Sequence, residues 1–307
     1  MNRFTRSWLL FKTSLAIMAG NKKLVAFPIV TFFLTILIVL FFLAPVALRP
    51  TGDSYGSSQH WRTITQSLFV QTTDANGHVT HSGLSPVAVF YLAVMYFVSM
   101  FLATFFNVAF YHEIFAALSG ETVSIKRGLQ FATTRWKAIF LWAVFAGAVG
   151  LLIRQIEERM GLVGRIIGRF IGIAWSVASV FVVPLIVADE QNVNPVSTLK
   201  NSAGILRKTW GEGLIGYVGV NLFNGLVFLA ALIVLAGAII VSATSHNYWL
   251  IGVVAPVWLL LVVSLSYLSS VASQIYKGAL FLYAANGVAP EPYSQEMLDS
   301  AWKFKKQ

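Results

Sequence analysis

Six stretches of this chain are each apolar over a length suited to crossing a lipid bilayer, and no other feature limits its fold so severely. A membrane-spanning helix needs about 20 predominantly apolar residues to cross a hydrocarbon core of about 30 Å. The stretches run from Leu24 to Leu48, Val87 to Tyr111, Ala138 to Ile153, Phe170 to Ala188, Leu214 to Val241 and Trp249 to Tyr276. The third is short. Trp136 and Lys137 at one end or Arg154 at the other must then sit at the interface, which suits belt tryptophans and snorkelling cations.

Composition agrees with that reading. The 307 residues are 57% hydrophobic and 11% charged, whereas a soluble domain needs roughly a quarter charged to cover its surface. A water-soluble globular enzyme is therefore excluded. The longest polar stretch, Pro50 to Ser85, is a loop's worth of chain and leaves no room for a separate catalytic domain. There is no cysteine, so disulfides, thiolate metal sites and cysteine nucleophiles are excluded together. The first apolar run follows 23 residues that carry five cations, too long and too amphipathic for a signal peptide and with no small-residue cleavage site after it. It reads as a retained span.

An even number of spans puts both termini on one side, and the distribution of Lys and Arg chooses which. The terminal segments and the connections 112–137 and 189–213 hold sixteen of the 22 cations, against Arg49, Arg62, Arg154, Arg159, Arg165 and Arg169 on the other side. The positive side is expected to be cytoplasmic. Most of the net charge of +10 then faces the anionic inner leaflet, which accounts for the basicity without nucleic acid as a partner.

Each outward-going span is preceded by an amphipathic stretch with helical spacing. The first has Phe4, Trp8, Phe11, Leu15 and Met18 on one stripe; the second has Ile125, Leu129, Ala132 and Trp136; the third has Val196, Leu199, Ala203, Leu206 and Trp210. Asn194 and Pro195 supply a cap and a first turn for the third. These helices are expected to lie along the cytoplasmic interface, with Lys126, Arg127, Arg135, Lys200, Arg207 and Lys208 as contacts to anionic lipid. The fold class is therefore all-α: a polytopic bundle of six transmembrane helices with three amphipathic interfacial helices. It divides into three surface-helix-plus-hairpin units, 1–118, 119–188 and 189–287, with 288–307 as a cytoplasmic tail. Phe115-Ala116-Ala117-Leu118-Ser119-Gly120 at the end of the second span is echoed by Leu282-Tyr283-Ala284-Ala285-Asn286-Gly287 at the end of the sixth, and both close on a glycine suited to a helix C-terminus. The echo fits either internal duplication or the commonness of such endings.

The run Tyr276 to Gly287, followed by Pro290 and the acidic segment Glu296 to Asp299, resembles the ending of a bacterial six-span family of uncharacterised inner-membrane proteins, and Leu199 to Trp210 resembles that family's surface helix. More distantly, the layout is similar to the membrane domain attached to some glycerophosphodiester phosphodiesterases. The resemblance implies a fold and an inner-membrane location. It implies no activity, because the phosphodiesterase catalytic domain has no counterpart here.

Polar residues inside the spans are few. Asn107, Asn221, Asn224, Ser270, Ser273 and Gln274 lie at similar depth toward the inner ends of three spans. They either line a cavity open to the cytoplasm or hydrogen-bond helix to helix. His112 with Glu113 is the nearest approach to a titratable pair and reads as a hydrated interfacial pair or as the start of a proton relay. Gly164, Gly168 and Gly172 form a stripe that invites close approach of another backbone, from the same chain or from a second copy in a homo-oligomer. Arg154, Arg159, Arg165 and Arg169 suit an outer-leaflet phosphate, or an ion-paired face in which Glu158 pairs with Arg154. The loop Pro50 to Ser85, with His60, His78, His81, Asp53 and Asp74, is expected to be mobile or hairpin-like and to hold no metal. Catalytic groups and cofactors are expected to be absent. The functional expectation is a non-enzymatic accessory or lipid-organising role. A transporter or oligomeric pore using the cytoplasm-facing polar cavity is the alternative, and a lipid-modifying enzyme that would need His112 with Glu113 is the third reading.

Overall fold

The computed structural model describes residues 3–73, 79–208, 213–245, 248–295 and 298. In chain order the elements are α1 (Arg3–Gly20), α2 (Lys23–Ala47), α3 (Ser58–Leu68), β1 (Phe69–Thr73), β2 (Val79–Leu84), α4 (Pro86–Leu118), α5 (Ile125–Thr134), α6 (Trp136–Arg159), α7 (Gly161–Ala178), α8 (Val182–Ala188), α9 (Pro195–Lys208), α10 (Gly213–Thr244) and α11 (Tyr248–Asn286). Among the described residues, five helical segments are long and apolar enough to cross a membrane: Lys23–Ala47, Pro86–Leu118, Trp136–Glu158, Val163–Ala188 and Ile251–Asn286. The expected fifth span falls on α10, whose apolar part among the described residues, Leu232–Thr244, is shorter.

Several helices outrun the apolar stretches. α4 has 33 residues and α11 has 39, lengths of about 50 and 58 Å at 1.5 Å per residue, well beyond the hydrocarbon thickness. Their C-terminal turns carry the molecule's core. On α4 every buried residue except Ala88 lies at or after Thr104, and on α11 burial begins at Val271 and continues to Tyr283. Ile114, Ile275, Phe181 and Phe281 pack there with Leu10 of α1 and Phe27 of α2, each no more than 2% exposed. The rest of the apolar helical segments, α2 and α7 included, is the opposite. Phe41, Phe90, Phe170 and Leu260 are each 69–71% exposed, as side chains that face lipid must be. One end of the molecule is thus packed like a soluble domain, and the other presents apolar surface outward.

Glycine ends both long helices, as the sequence echo predicts. After α4, Gly120 takes φ +79°, with Glu121 N–H donating to Ala116 O at 2.9 Å and Gly120 N–H to Ala117 O at 3.2 Å, a Schellman closure. After α11, Gly287 at φ +74° donates to Tyr283 O at 2.8 Å. The expected cap of α9 is present too, with Asn194 Oδ1 accepting from Val196 N–H at 2.9 Å.

Two expectations change. The third apolar stretch continues as helix to Arg159 and turns at Met160 and Gly161 (φ +59°) directly into α7, so both helices extend beyond the apolar stretches and carry Arg154, Arg165 and Arg169. The fourth span is broken at 179–181 between α7 and α8. Pro184 explains the break, because its ring excludes the carbonyl of Val180 four residues earlier from helical bonding. The freed Phe181 N–H donates to Ser202 Oγ of α9 at 3.0 Å in a buried setting. Interrupted helix survives at membrane depth only where protein satisfies it in this way.

The surface helices also differ from a simple lipid-facing reading. α1 buries Leu10, Phe11, Ser14, Ile17 and Met18 against α11, while Trp8 is half exposed. α9 buries Thr198, Ser202 and Leu206 and leaves Val196 outside, and Trp136 at the start of α6 is likewise exposed. In α1 and α9 the protein-facing stripe is rotated by about one residue from the apolar stripe, so part of each apolar stripe packs into the protein and part stays exposed. The polar loop 50–85 is built of α3 and an antiparallel β1–β2 hairpin in which Phe69 pairs Leu84 and Val70 pairs Gly83.

Candidate functional site

α2, α4 and α11 enclose a groove of about 280 Å³ at the packed end. α2 contributes Phe27, Thr31 and Thr35, which share one face at four-residue spacing; α4 contributes Asn107 and Phe110; α11 contributes Gln274. Phe27 and Phe110 stack with centroids 5.4 Å apart and form its floor. The Thr31 and Thr35 hydroxyls donate to Phe27 O at 2.9 Å and Thr31 O at 2.8 Å, which leaves them only acceptor capacity toward the groove. Among the described residues, no side-chain hydrogen bond is made by Asn107 or Gln274, and both are half buried.

Of the polar residues expected at this depth, the structure brings together Asn107 and Gln274. Ser273 is half buried and Ser270 exposed, and neither lines the groove. Asn221 and Asn224 fall on α10, with side chains outside the described residues. The groove's aromatic floor and its two threonines escaped sequence reasoning, although Thr31 and Thr35 four apart in an apolar run were a readable signal.

Beside the groove is a buried ion pair. Glu113, fully buried, accepts from Arg127 Nε at 2.9 Å and Nη2 at 3.0 Å, from Ser124 N–H at 2.6 Å, and is 3.0 Å from His112 Nδ1. Arg127 reaches on to Glu121 at 3.0 Å and to the Thr122 carbonyl at 3.1 Å. Hydrogen bonding to the Glu113 carboxylate holds the Arg127 guanidinium above its ordinary pKa. His112 stacks on Phe131 at 4.2 Å between centroids. Gly128 is required for this approach, since a Cβ there would sit 2.8 Å from Ala109 O and 2.9 Å from Glu113 Cγ.

The six expected lipid contacts separate by burial. Lys126, Lys200 and Arg207 are exposed. Arg127 is committed to Glu113, and Arg135, 6% exposed, turns inward rather than toward headgroups. It donates from Nε to Ile186 O at 3.0 Å and from Nη2 to Asp189 O at 2.7 Å and Asn192 O at 3.1 Å, with Glu190 O bound by Nη1. A cation at the end of α8 meets the carbonyls that the helix leaves open. The Lys208 side chain lies outside the described residues.

Of the glycine stripe, Gly164 and Gly168 face α6 of the same hairpin: a Cβ would come within 2.4 Å of Ile156 O at the first and 2.3 Å of Glu157 Cγ at the second. At Gly172 nothing lies within 4 Å. Arg154 donates to Glu158 at 2.7 Å on an exposed face. In the polar loop, His60 is buried and spends its ring nitrogens on Thr51 Oγ1 at 2.7 Å and Ala47 O at 3.0 Å. His78 and the side chain of His81 lie outside the described residues, as does Asp74.

No curated protein and no solved structure matches the chain. The similarity to phosphodiesterase membrane domains therefore has no counterpart among these comparisons. A family model does match residues 85–290, more than half of the sequence, and the chain belongs to that family of unknown function, DUF6159.

Proposed function

We propose that the protein is a non-enzymatic integral protein of the bacterial inner membrane, with six spans and both termini cytoplasmic, that organises anionic lipid or a partner protein at the cytoplasmic leaflet. The observation that carries this reading is the polarity of the molecule along its helices. The end bearing α1, α5 and α9 is packed and displays Lys126, Lys200 and Arg207, while the far halves of the spans are exposed and apolar. The Glu113 oxygens are occupied by Arg127 and Ser124, which supports a structural rather than a proton-transferring role for the His112–Glu113 pair. The transport reading has less support, because the groove runs along α2 from Phe27 to Thr35, about 12 Å of a hydrocarbon core about 30 Å thick.

Because the chain has no cysteine, single thiols report sidedness cleanly. Lys126→Cys and Lys200→Cys are expected to resist a membrane-impermeant maleimide in intact cells and to react in inverted vesicles. Reaction in intact cells would overturn the orientation.

A further inference from the structure

Two amides that make no side-chain hydrogen bond among the described residues, held half buried beside stacked rings, are an unusual thing to leave in a membrane. A polar group that reaches hydrocarbon without a hydrogen bond is costly, and a helical bundle ordinarily pairs such groups between its own helices. Among the described residues Asn107 and Gln274 are not paired in that way, and both line the 280 Å³ groove. That volume is near the lower limit for a small-molecule site, so the groove takes part of a ligand rather than the whole. The groove is open on the lipid side, where Phe32 is 62% exposed along one wall. A ligand that enters from the bilayer meets two amide donors, hydroxyl lone pairs on Thr31 and Thr35, and the Phe27 and Phe110 rings. Ester carbonyls accept from the two amides, and the hydrocarbon that follows packs on the aromatic walls.

The charge lies one turn further along the same helix. Lys23 precedes Phe27 by four residues and therefore shares its face of α2. With Lys22, Asn21 and Thr122 it lines a second hollow of about 350 Å³ where the α1–α2 elbow meets the α4–α5 connection. Lys22 and Lys23 are exposed, and neither appears in a salt bridge among the described residues. From the packed end inward the order is the two cations, then the Phe27–Phe110 stack one turn along α2, then Asn107 one turn further along α4, with Phe32 and Phe106 lining the groove at that deeper level.

We infer that the groove between α2, α4 and α11 binds one anionic glycerophospholipid: its phosphate at Lys22 and Lys23, its glycerol backbone passing the Phe27–Phe110 stack, its ester carbonyls at Gln274 and Asn107, and its acyl chain against Phe32 and Phe106. This deepens the lipid-organising reading and rests on it only in that the packed end lies at a membrane surface.

The test uses the full chain in nanodiscs containing phosphatidylglycerol with a diazirine in one acyl chain. Adducts are expected to concentrate on peptides covering 27–35 and 106–110. Asn107→Leu with Gln274→Met should lower the adduct yield there by about fivefold for each lost hydrogen bond. Thr35→Trp, which fills the groove from an exposed position, should lower it without touching the amides. Lys22→Gln with Lys23→Gln should abolish the preference for phosphatidylglycerol over an equally labelled phosphatidylcholine. Adducts spread evenly over all lipid-facing helices and unchanged by the variants would overturn the proposal, as would equal labelling of the wild type by the two lipids. A disulfide between copies of a Thr35→Cys variant, with no adduct in the groove, would show that a second copy covers it and would also overturn the proposal. Both leaflets of a nanodisc carry the probe, so groove occupancy is read independently of which end of the protein is cytoplasmic.

Discussion

Arg127 and Glu113 meet across the α4–α5 junction through two parallel hydrogen bonds, Nε to Oε1 at 2.9 Å and Nη2 to Oε2 at 3.0 Å. The carboxylate is fully buried while the guanidinium side chain remains 38% exposed, so the two partners do not carry equal risk. Removing the arginine strands a charge in the interior; removing the acid leaves a cation that water can reach.

The first prediction is therefore an asymmetry. Arg127→Ala should cost about 3 kcal/mol, the lower end of the range for a broken buried pair, and more than Glu113→Gln does. Arg127→Lys should fall between wild type and Arg127→Ala, because an ammonium cannot supply the two-pronged fork. Thermal unfolding in detergent micelles measures the order. A larger loss for Glu113→Gln than for Arg127→Ala would contradict it.

The glycine stripe should respond unevenly. Gly164→Ala drives a methyl to within 2.4 Å of a backbone carbonyl on α6, which cannot swing aside, and should cost about 1–3 kcal/mol. Gly172→Ala meets open space and should be neutral, or stabilising by up to about 1 kcal/mol through the reduced flexibility of alanine. Equal losses at the two positions, read as melting-temperature shifts, would mean that a second copy packs on Gly172.

Arg135 gathers the connection between α8 and α9. Arg135→Ala and Arg135→Lys should both expose the bonds between Asp189 and Asn194 to limited proteolysis, since a lysine cannot reach the Ile186, Asp189 and Asn192 carbonyls together. Loss of the charged hydrogen bonds should cost at least about 3 kcal/mol. A wild-type digestion pattern in Arg135→Lys would refute the clamp.

Alkaline pH should release the tail. Tyr293 is buried with its hydroxyl 2.6 Å from Ser14 Oγ, and burial pushes its phenol well above the usual value of about 10. The folded state then favours the protonated form. Its contribution is complete below about pH 10 and declines as pH rises further, while the unfolded chain ionises first. Tail docking, read by protease cutting after α11, should weaken above pH 10 in the wild type. In Tyr293→Phe that alkaline step should vanish, with about 1 kcal/mol lost at neutral pH.

Lipid association should follow the exposed cations alone. Neutralising Lys126, Lys200 and Arg207 should weaken binding of the full chain's packed end to anionic vesicle lipid, by a margin that shrinks as salt rises. Indifference to all three substitutions at low salt would remove the surface cations from the lipid-organising reading.

Much of the architecture was legible in the chain itself. Long apolar runs allow few outcomes in lipid, so most of the spans follow from hydropathy, and the caps at Asn194, Gly120 and Gly287 follow from local backbone chemistry. Arg154 with Glu158 was legible for the same reason, since both partners lie one turn apart on one helix. The break at 179–181 had its signal in Pro184, but satisfying it required Ser202, 21 residues away.

What tertiary structure alone decided was the fate of each polar side chain. Lys126 and Arg127 are neighbours of the same charge, yet one meets solvent and the other a buried carboxylate fourteen residues back, because the turn after α4 folds α5 onto it. Asn107 and Gln274 come to line one groove only because α4 and α11 converge at their C-terminal ends. Hydropathy and capping are properties of adjacent residues and can be read in order along the chain, whereas burial and pairing depend on which distant helix arrives at the same place.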